Sequence, residues 1–309
     1  MNAGSVIAAE EAESTRLVPR LGFGEWLENG FEWFEETFSR FINWVDIAFT
    51  TTSEGLAEIL AVPDALILTA IFALIAWLLR DWKLALLTVP LMLFIISVDQ
   101  WENALETLAL VAVAALVALA IGIPIGVLAA KNDTVSRAVR PVMDLMQTMP
   151  ALVWIIPAFA MFGLGMASGI MATIIFSLPP GVRFTELAIR QVDSEVVEAG
   201  HAFGSTGWQI LFRIQLPLAT KTIMAGVNQV IMLALSMAVF GGFVGAGGLG
   251  NEVVRAINQL DLALGLEAGL GVVMLAVYLD RVTASIGSGG SLRSRLRHAR
   301  AMGFRKAPA

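Results

Sequence analysis

Few residues of this chain have the type and spacing that chemistry requires. There is no cysteine, which excludes thiolate nucleophiles, disulfides and zinc–thiolate sites. Histidine occurs only at His201 and His298, too sparse for a histidine-based metal site or a catalytic triad. Gly245-Ala246-Gly247-Gly248-Leu249-Gly250 has the form G-x-G-x-x-G, and Glu267 follows within about twenty residues, as in a dinucleotide loop. That fingerprint needs a short preceding strand inside a βαβ unit. Here the preceding run is uncharged and long enough to span a membrane, so a Gly-rich turn at the outer end of a span, where helices and backbone approach closely, is the better reading. No Gly-Lys-Ser/Thr occurs, and Lys83, Lys131, Lys221 and Lys306 all lie outside glycine-rich phosphate-binding contexts. A Walker A phosphate loop is therefore absent. If this protein moves a solute using ATP, another subunit must hold the nucleotide. Carboxylates inside spans would mark proton or sodium relays. The candidates, Glu106 and Glu267, sit near expected span ends, and Asp144 adjoins a basic loop, so interfacial roles fit better.

The remaining signal is a polar island at residues 183–220. It contains Glu198-Ala199-Gly200-His201-Ala202-Phe203-Gly204 and later Ile214-Gln215-Leu216-Pro217. The flanking runs, residues 145–182 and 222–251, contain no Asp, Glu, Lys or Arg. Helical spacing puts Ile189, Val192, Val196 and Val197 roughly on one side, leaving Arg190, Asp193 and Glu198 to face water. Ala199 and Gly200 permit close helix approach, and Gly204 permits the positive φ that ends a helix. Pro217 suits the first turn of the next helix. The expectation is helix, turn, short helix, membrane: a stiff knob on the cytoplasmic face for something else to grip.

The elements that must hold this knob are membrane helices. The chain is 57% hydrophobic and 15% charged, against about 25% charged in ordinary soluble domains. Seven spans are expected, at residues 65–79, 84–98, 107–130, 150–162, 169–182, 222–244 and 268–279. The first two are shorter than the roughly 20 residues a span needs. Flanking Arg80, Asp81 and Lys83 can extend them by snorkelling. Gly163, Gly165 and Gly169 are expected to mark the turn that divides residues 145–182. Lysines and arginines concentrate at Lys131–Arg140, in the polar island and in the tail, which places those regions inside. Asp99 and Glu102 fall outside. The N-terminus is then out and the C-terminus in. The first residues carry Glu10, Glu11 and Glu13 without an apolar core, so no cleavable signal peptide is visible.

Residues 1–64 hold twelve acids and three arginines. Within them Phe23, Leu27, Phe31, Phe34, Phe38, Phe41, Val45 and Phe49 recur at helical steps, opposite Glu25, Glu28, Glu32, Glu35 and Glu36. The expected organisation is a disordered 1–20, an acidic amphipathic interfacial or scaffold helix at 21–60, and two accessory transmembrane helices at 61–100. A core domain follows at 101–285 with its cytoplasmic loop at 183–220, then a basic tail at 286–309. Helix breakers Pro124, Pro150, Pro157, Pro179 and Pro180 accompany the spans and suit helices that line a pathway. Trp154, with Phe159, offers a π face to a cationic solute. Gln147, Pro150, Trp154 and Asn228 are the candidate pathway residues.

The island's spacing resembles the EAA loop of binding-protein-dependent ABC importer permeases, Glu-Ala-Ala-x3-Gly-x9-Ile-x-Leu-Pro, with Gly200 in place of the second alanine. The stretches Met143–Pro150, Ile174–Pro180, Ala225–Gln229, Ala246–Gly250 and Gly265–Leu270 are similar to the glycine betaine/proline permease branch. The resemblance implies an all-α type I ABC importer permease fold, with five core helices and two more at the front. It implies that Glu198, Ala199, Gly200, Gly204, Ile214, Leu216 and Pro217 couple the membrane helices to an ATPase subunit, which binds ATP and Mg. No cofactor or metal is implied in this chain. The implied partners are ABC ATPases, a second permease copy, a separate extracytoplasmic binding protein and membrane lipid, with no nucleic acid. The implied cargo is a quaternary-ammonium solute such as glycine betaine. The alternatives are choline, carnitine or an amino acid such as methionine on the same machinery, an ion-coupled secondary transporter, or a membrane enzyme.

Overall fold

The computed structural model describes residues 22–287, and every regular element among them is a helix. The expected disordered segment 1–20 and the basic tail beyond residue 287 lie outside the described residues. The chain divides into two compact units after Asn43. The first helix, α1 (Phe23–Ala61), carries the amphipathic period of the sequence. It is kinked at Phe38, where φ and ψ of −108° and 15° leave the helical region. The Phe34 and Phe38 rings meet across that kink at 4.8 Å.

Two short apolar helices follow, α2 (Ala65–Leu79) and α3 (Trp82–Ser97). Each starts on an aspartate that caps it: Asp64 accepts from the Leu66 amide and Asp81 from the Leu84 amide, both at 2.9 Å. An N-cap carboxylate satisfies amides left without helical partners, so these acids define helix starts. Leu68, Phe72 and Ala76 of α2 and Leu84, Met92 and Ile95 of α3 are buried in one cluster.

The core comprises α4 (Trp101–Lys131), α5 (Asp133–Thr148), α6 (Ile155–Phe162), α7 (Met166–Arg190), α8 (Ser194–Ala202), α9 (Gly207–Ile210), α10 (Leu216–Gly241), α11 (Gly248–Gln259) and α12 (Leu262–Gly287). Helix α4 is about 46 Å long at 1.5 Å per residue, ample for a hydrocarbon layer of about 30 Å. Among the described residues, α4, α7, the run Gly207–Val244 and α12 are long and apolar enough to cross a membrane. The number rises to six if the bent pairs α1–α2 and α5–α6 each count as one span, and α3 is a shorter apolar helix. The expected span at 150–162 is no straight helix. It is a 3-10 turn, Ala151–Trp154, followed by the eight residues of α6, bent 110° from α5. The cause is local: a residue before proline is driven out of the α region, and Met149, before Pro150, is extended at φ −71° and ψ 136°.

Helix α7 is the central element, packed against α4 on one side and α10 on the other. Glycines allow the approach. A methyl at Gly126 of α4 would stand 2.6 Å from Thr185 Cβ and from the Val182 carbonyl oxygen, and one at Gly226 of α10 would stand 2.5 Å from Phe184 Cβ. Small residues at such crossings let apolar helices gain contact where no hydrophobic force drives them together. Of the three glycines expected at the turn before α7, Gly163 and Gly165 are there, with φ of 68° and 145°. Gly169 is instead inside α7, where a Cβ would fall 2.3 Å from that of Ala246. Its role is close packing. Helix α7 also continues past residue 182 to Arg190, and Arg183, Glu186 and Arg190 of its last two turns find partners on α4 and α5.

Candidate coupling site

The polar island folds as a capped helical knob. After Arg190 the chain breaks at Gln191–Val192, and Asp193 restarts it by accepting from the Glu195 amide at 2.9 Å. Helix α8 then runs to Ala202. The Ser205 amide donates to the Gly200 carbonyl at 3.1 Å and the Gly204 amide to the His201 carbonyl at 2.9 Å. This is the Schellman pattern, which needs a left-handed residue after the helix; Gly204 supplies it at φ 78°. The next turn is closed reciprocally: Thr206 accepts from the Gln209 amide, and the Thr206 amide donates to Gln209 Oε1 at 2.8 Å. Helix α9 passes through a π turn, Leu211–Gln215, into α10 with Pro217 in its first turn.

The knob has one outward and one inward side. Glu198 and Ala199 are exposed, as are Gly204 and Pro217, while Gly200 is buried and Ile214 and Leu216 are half-buried. A methyl on Gly200 would lie 2.8 Å from Ile214 Cδ1 and 3.3 Å from Ile210 Cγ1. The glycine that departs from the EAA pattern is therefore where α8 leans on the return segment. Because the nearer atom is the free end of a side chain, Gly200→Ala is expected to be tolerated, and it favours the helix by about 1 kcal/mol. Equal or higher thermal stability is the expected result in a melting measurement; a large loss would require bare backbone at this contact. The root of the knob is an apolar cluster of Ala188, Ile189, Leu211 and Ala219, packed with Val127 and Ala130 of α4. Lys131 Nζ adds a bond to Gln215 Oε1 at 2.8 Å.

One expectation about this region is corrected. Ile189, Val192, Val196 and Val197 do not share a helical side, since Ile189 lies in the last turn of α7 and the break at Gln191 intervenes; Val196 is 41% exposed. Arg190 is exposed as expected, and it is also partnered. It donates to the Ala129 carbonyl at 2.8 Å and to Asp133 Oδ1 at 2.7 Å, and its Nε is 3.0 Å from Glu186 Oε1. Glu186 is the residue that sequence reasoning missed. It is buried, and its Oε1 also accepts from Ser136 Oγ at 2.7 Å and Arg140 at 3.0 Å. The available signal was a pair of i, i+4 patterns, Ser136/Arg140 and Glu186/Arg190, on two segments that had no evident reason to meet.

The pathway candidates fall in two places. Gln147 and Pro150 are exposed at the α5–α6 elbow, and Trp154 packs beside them with its indole N–H donating to the Met146 carbonyl at 3.2 Å. Asn228 is held between α10 and α12, donating to Asp280 Oδ1 at 3.0 Å and accepting from the Thr283 hydroxyl.

At the opposite end of the helices, the Gly-rich turn has positive φ at Gly245, Gly247 and Gly248. It opens α11, whose first amides are capped from α4: Gly248 donates to Glu106 Oε2 at 2.7 Å and Leu249 to Thr107 Oγ1 at 2.8 Å. A carboxylate at a helix N-terminus is favoured by the unpaired amides and the helix dipole. Glu106 is thus a cap between helices. Glu106→Gln keeps an acceptor oxygen, so solute uptake is expected to stay near wild type, whereas an ion relay at this position would lose transport outright.

Residues 122–287 match the family described as binding-protein-dependent transport system inner membrane component. The chain belongs to this family. The permease is 43% identical over 269 residues to the glycine betaine transport system permease protein OpuAB of Bacillus subtilis, covering 87% of this chain and 95% of that one. It is 40% identical over 262 residues to the glycine betaine/proline betaine transport system permease protein ProW of Escherichia coli, covering 85% and 74%. Among solved structures, the MetNI methionine ABC transporter in an inward-facing conformation matches at a TM-score of 0.57 and 21% identity, covering 62% of this chain and 96% of that one. That likeness establishes the type I fold. The permease is a multi-pass inner-membrane protein, and its family works with an ATPase and a substrate-binding protein.

Proposed function

We propose that this permease imports glycine betaine or a related quaternary-ammonium solute, with two copies pairing with two ATPase subunits that hold ATP and Mg. The observation that carries the reading is the 43% identity to a glycine betaine permease along nearly its whole length. In this reading the N-terminus is outside and the C-terminus inside, and residues 101–285 form the transport core. Residues 61–100 are accessory helices, and residues 21–60 an acidic scaffold. A separate extracytoplasmic binding protein delivers the solute.

The knob supports a mechanical role. Its outward face, Glu198 and Ala199, docks on the ATPase, and Gly204 fixes how the chain leaves that face. Gly200, Ile214, Leu216 and Pro217 join the knob to α10. ATPase closure drives the two knobs together and opens the path outward; hydrolysis resets it inward. The permease itself makes and breaks no bonds. Gln147, Pro150 and Trp154 at the elbow and Asn228 between α10 and α12 are the pathway residues of this scheme. A second cargo, carnitine, is favoured by 48% identity over 204 residues to the glycine betaine/carnitine transport permease protein GbuB of Listeria monocytogenes.

Proteoliposomes with and without the ATPase and binding protein test this directly. Labelled betaine uptake is expected only with both partners and ATP. Uptake driven by an ion gradient without the ATPase would overturn the importer reading.

A further inference from the structure

The geometry points to Glu186 as a positioning residue that locks the coupling knob to the α5–α6 elbow, an inference that rests on the proposed importer function. One face of α5 carries Asp133, Ser136, Arg140 and Asp144, spaced by three or four residues. One face of α7 carries Arg183, Glu186 and Arg190 in the same rhythm. Residues at such steps share a helix face, and the two faces are joined rung by rung. Arg183 pairs with Asp144, Glu186 takes Ser136 and Arg140, and Arg190 takes Asp133. Arg190 also reaches the Ala129 carbonyl at the end of α4.

Glu186 is the hub because a single oxygen, Oε1, meets the Ser136 hydroxyl, Arg140 and Arg190 within 2.7–3.0 Å. Its side chain is only 10% exposed, whereas those of Arg140, Asp144 and Asp133 are 60%, 64% and 78% exposed. Exposed pairs are weak. A buried carboxylate with its partners removed is costly, so the hub resists separation where the outer rungs do not. Its place in the chain gives that resistance a use. Four residues after Glu186, α7 ends and the knob begins; eight residues after Arg140, α5 ends at the 110° bend. Displacement of the knob therefore passes to α5 and its elbow as movement of one body. An open cavity of about 380 Å³ lined by Arg140, Asp144, Arg183, Glu186, Leu187 and Arg190 flanks the clamp.

The test measures uptake and ATP hydrolysis together in proteoliposomes containing the full importer. Wild type comes first: if it fails to take up betaine, the proposed function falls, and this inference is not at issue. With wild type active, Glu186→Ala and the surface-facing Arg140→Ala are expected to keep hydrolysis within about twofold while uptake falls about tenfold and about threefold respectively, the scale of a lost coupling between sites. Should Glu186→Ala fail to fold, Arg140→Ala, which leaves Glu186 in place, decides. Because the chain has no cysteine, Ser136→Cys with Glu186→Cys places the only two thiols across the clamp. A short reducible thiol-to-thiol linker is expected to restore uptake per ATP, and reductant to remove it again. Wild-type uptake per ATP in Arg140→Ala and in the unlinked double variant would overturn the clamp, as would failure of the linker to restore coupling.

Discussion

Gly204→Val is expected to reduce ATP-driven uptake by more than tenfold while the permease still inserts and purifies normally. Gly204 stands at φ 78°, and no atom would come within 4 Å of an added Cβ. The penalty is therefore conformational. The left-handed region costs an ordinary residue about 1–2 kcal/mol, and a β-branched side chain fares worse. Relief requires abandoning the bonds from Gly204 to His201 and from Ser205 to Gly200, which unwinds the end of α8 beneath its outward face. Gly204→Asn is the informative control, since asparagine tolerates this conformation, and it should retain most uptake. Gly204→Asp has the same shape as Asn but sets a negative charge at a helix C-terminus, where the carbonyls are already negative. It should fall well below Asn. Uptake in proteoliposomes with matched ATPase content separates the three; wild-type uptake in the valine variant would remove the helix stop from the mechanism.

Gly242→Ala should have the largest effect on stability. A methyl there would lie 2.3 Å from the Gly250 carbonyl oxygen, 2.4 Å from its carbon and 2.9 Å from the Asn251 nitrogen. Every obstacle is backbone, so no rotamer change relieves it, and the end of α10 must separate from α11. Overpacking of this kind costs about 1–3 kcal/mol and sometimes more. At roughly 2–4 °C per kcal/mol for a domain of this size, thermal unfolding in detergent should move down by about 2–12 °C. Gly245→Ala, three residues away, meets nothing within 4 Å and bears only the strain of φ 74°. It should lose about 1–2 kcal/mol. Equal melting temperatures for the two would show that the turn yields and that the close approach is dispensable.

The knob was the most legible part of this protein because its determinants are local. The distance from Glu198 to Gly204 and on to Pro217 sets a helix, a left-handed stop and a restart, each written in residues that satisfy nearby backbone groups. Pro150 was readable as a breaker for the same reason. The 110° angle it permits was not, since proline forbids a conformation without choosing among those that remain. Charge misled the reading at Arg183–Arg190. Polar residues after an apolar run suggest water, yet Glu186 is buried among Ser136, Arg140 and Arg190, two of which lie 50 and 46 residues back in the chain. Glu106 was ambiguous in the same way: its partner amide at Gly248 is 142 residues distant.

The sequence by itself determined that this is a membrane protein lacking a phosphate loop, carrying a capped helical knob between apolar spans. Uncharged runs, missing motifs and capping residues act through composition or through neighbours a few positions apart. Only the tertiary structure decided which face of α8 is buried, that Gly169 packs against Ala246, and that Glu186 ties α7 to α5. Those depend on which helices lie side by side, and a polar group's meaning in a membrane is set by the partner that satisfies it.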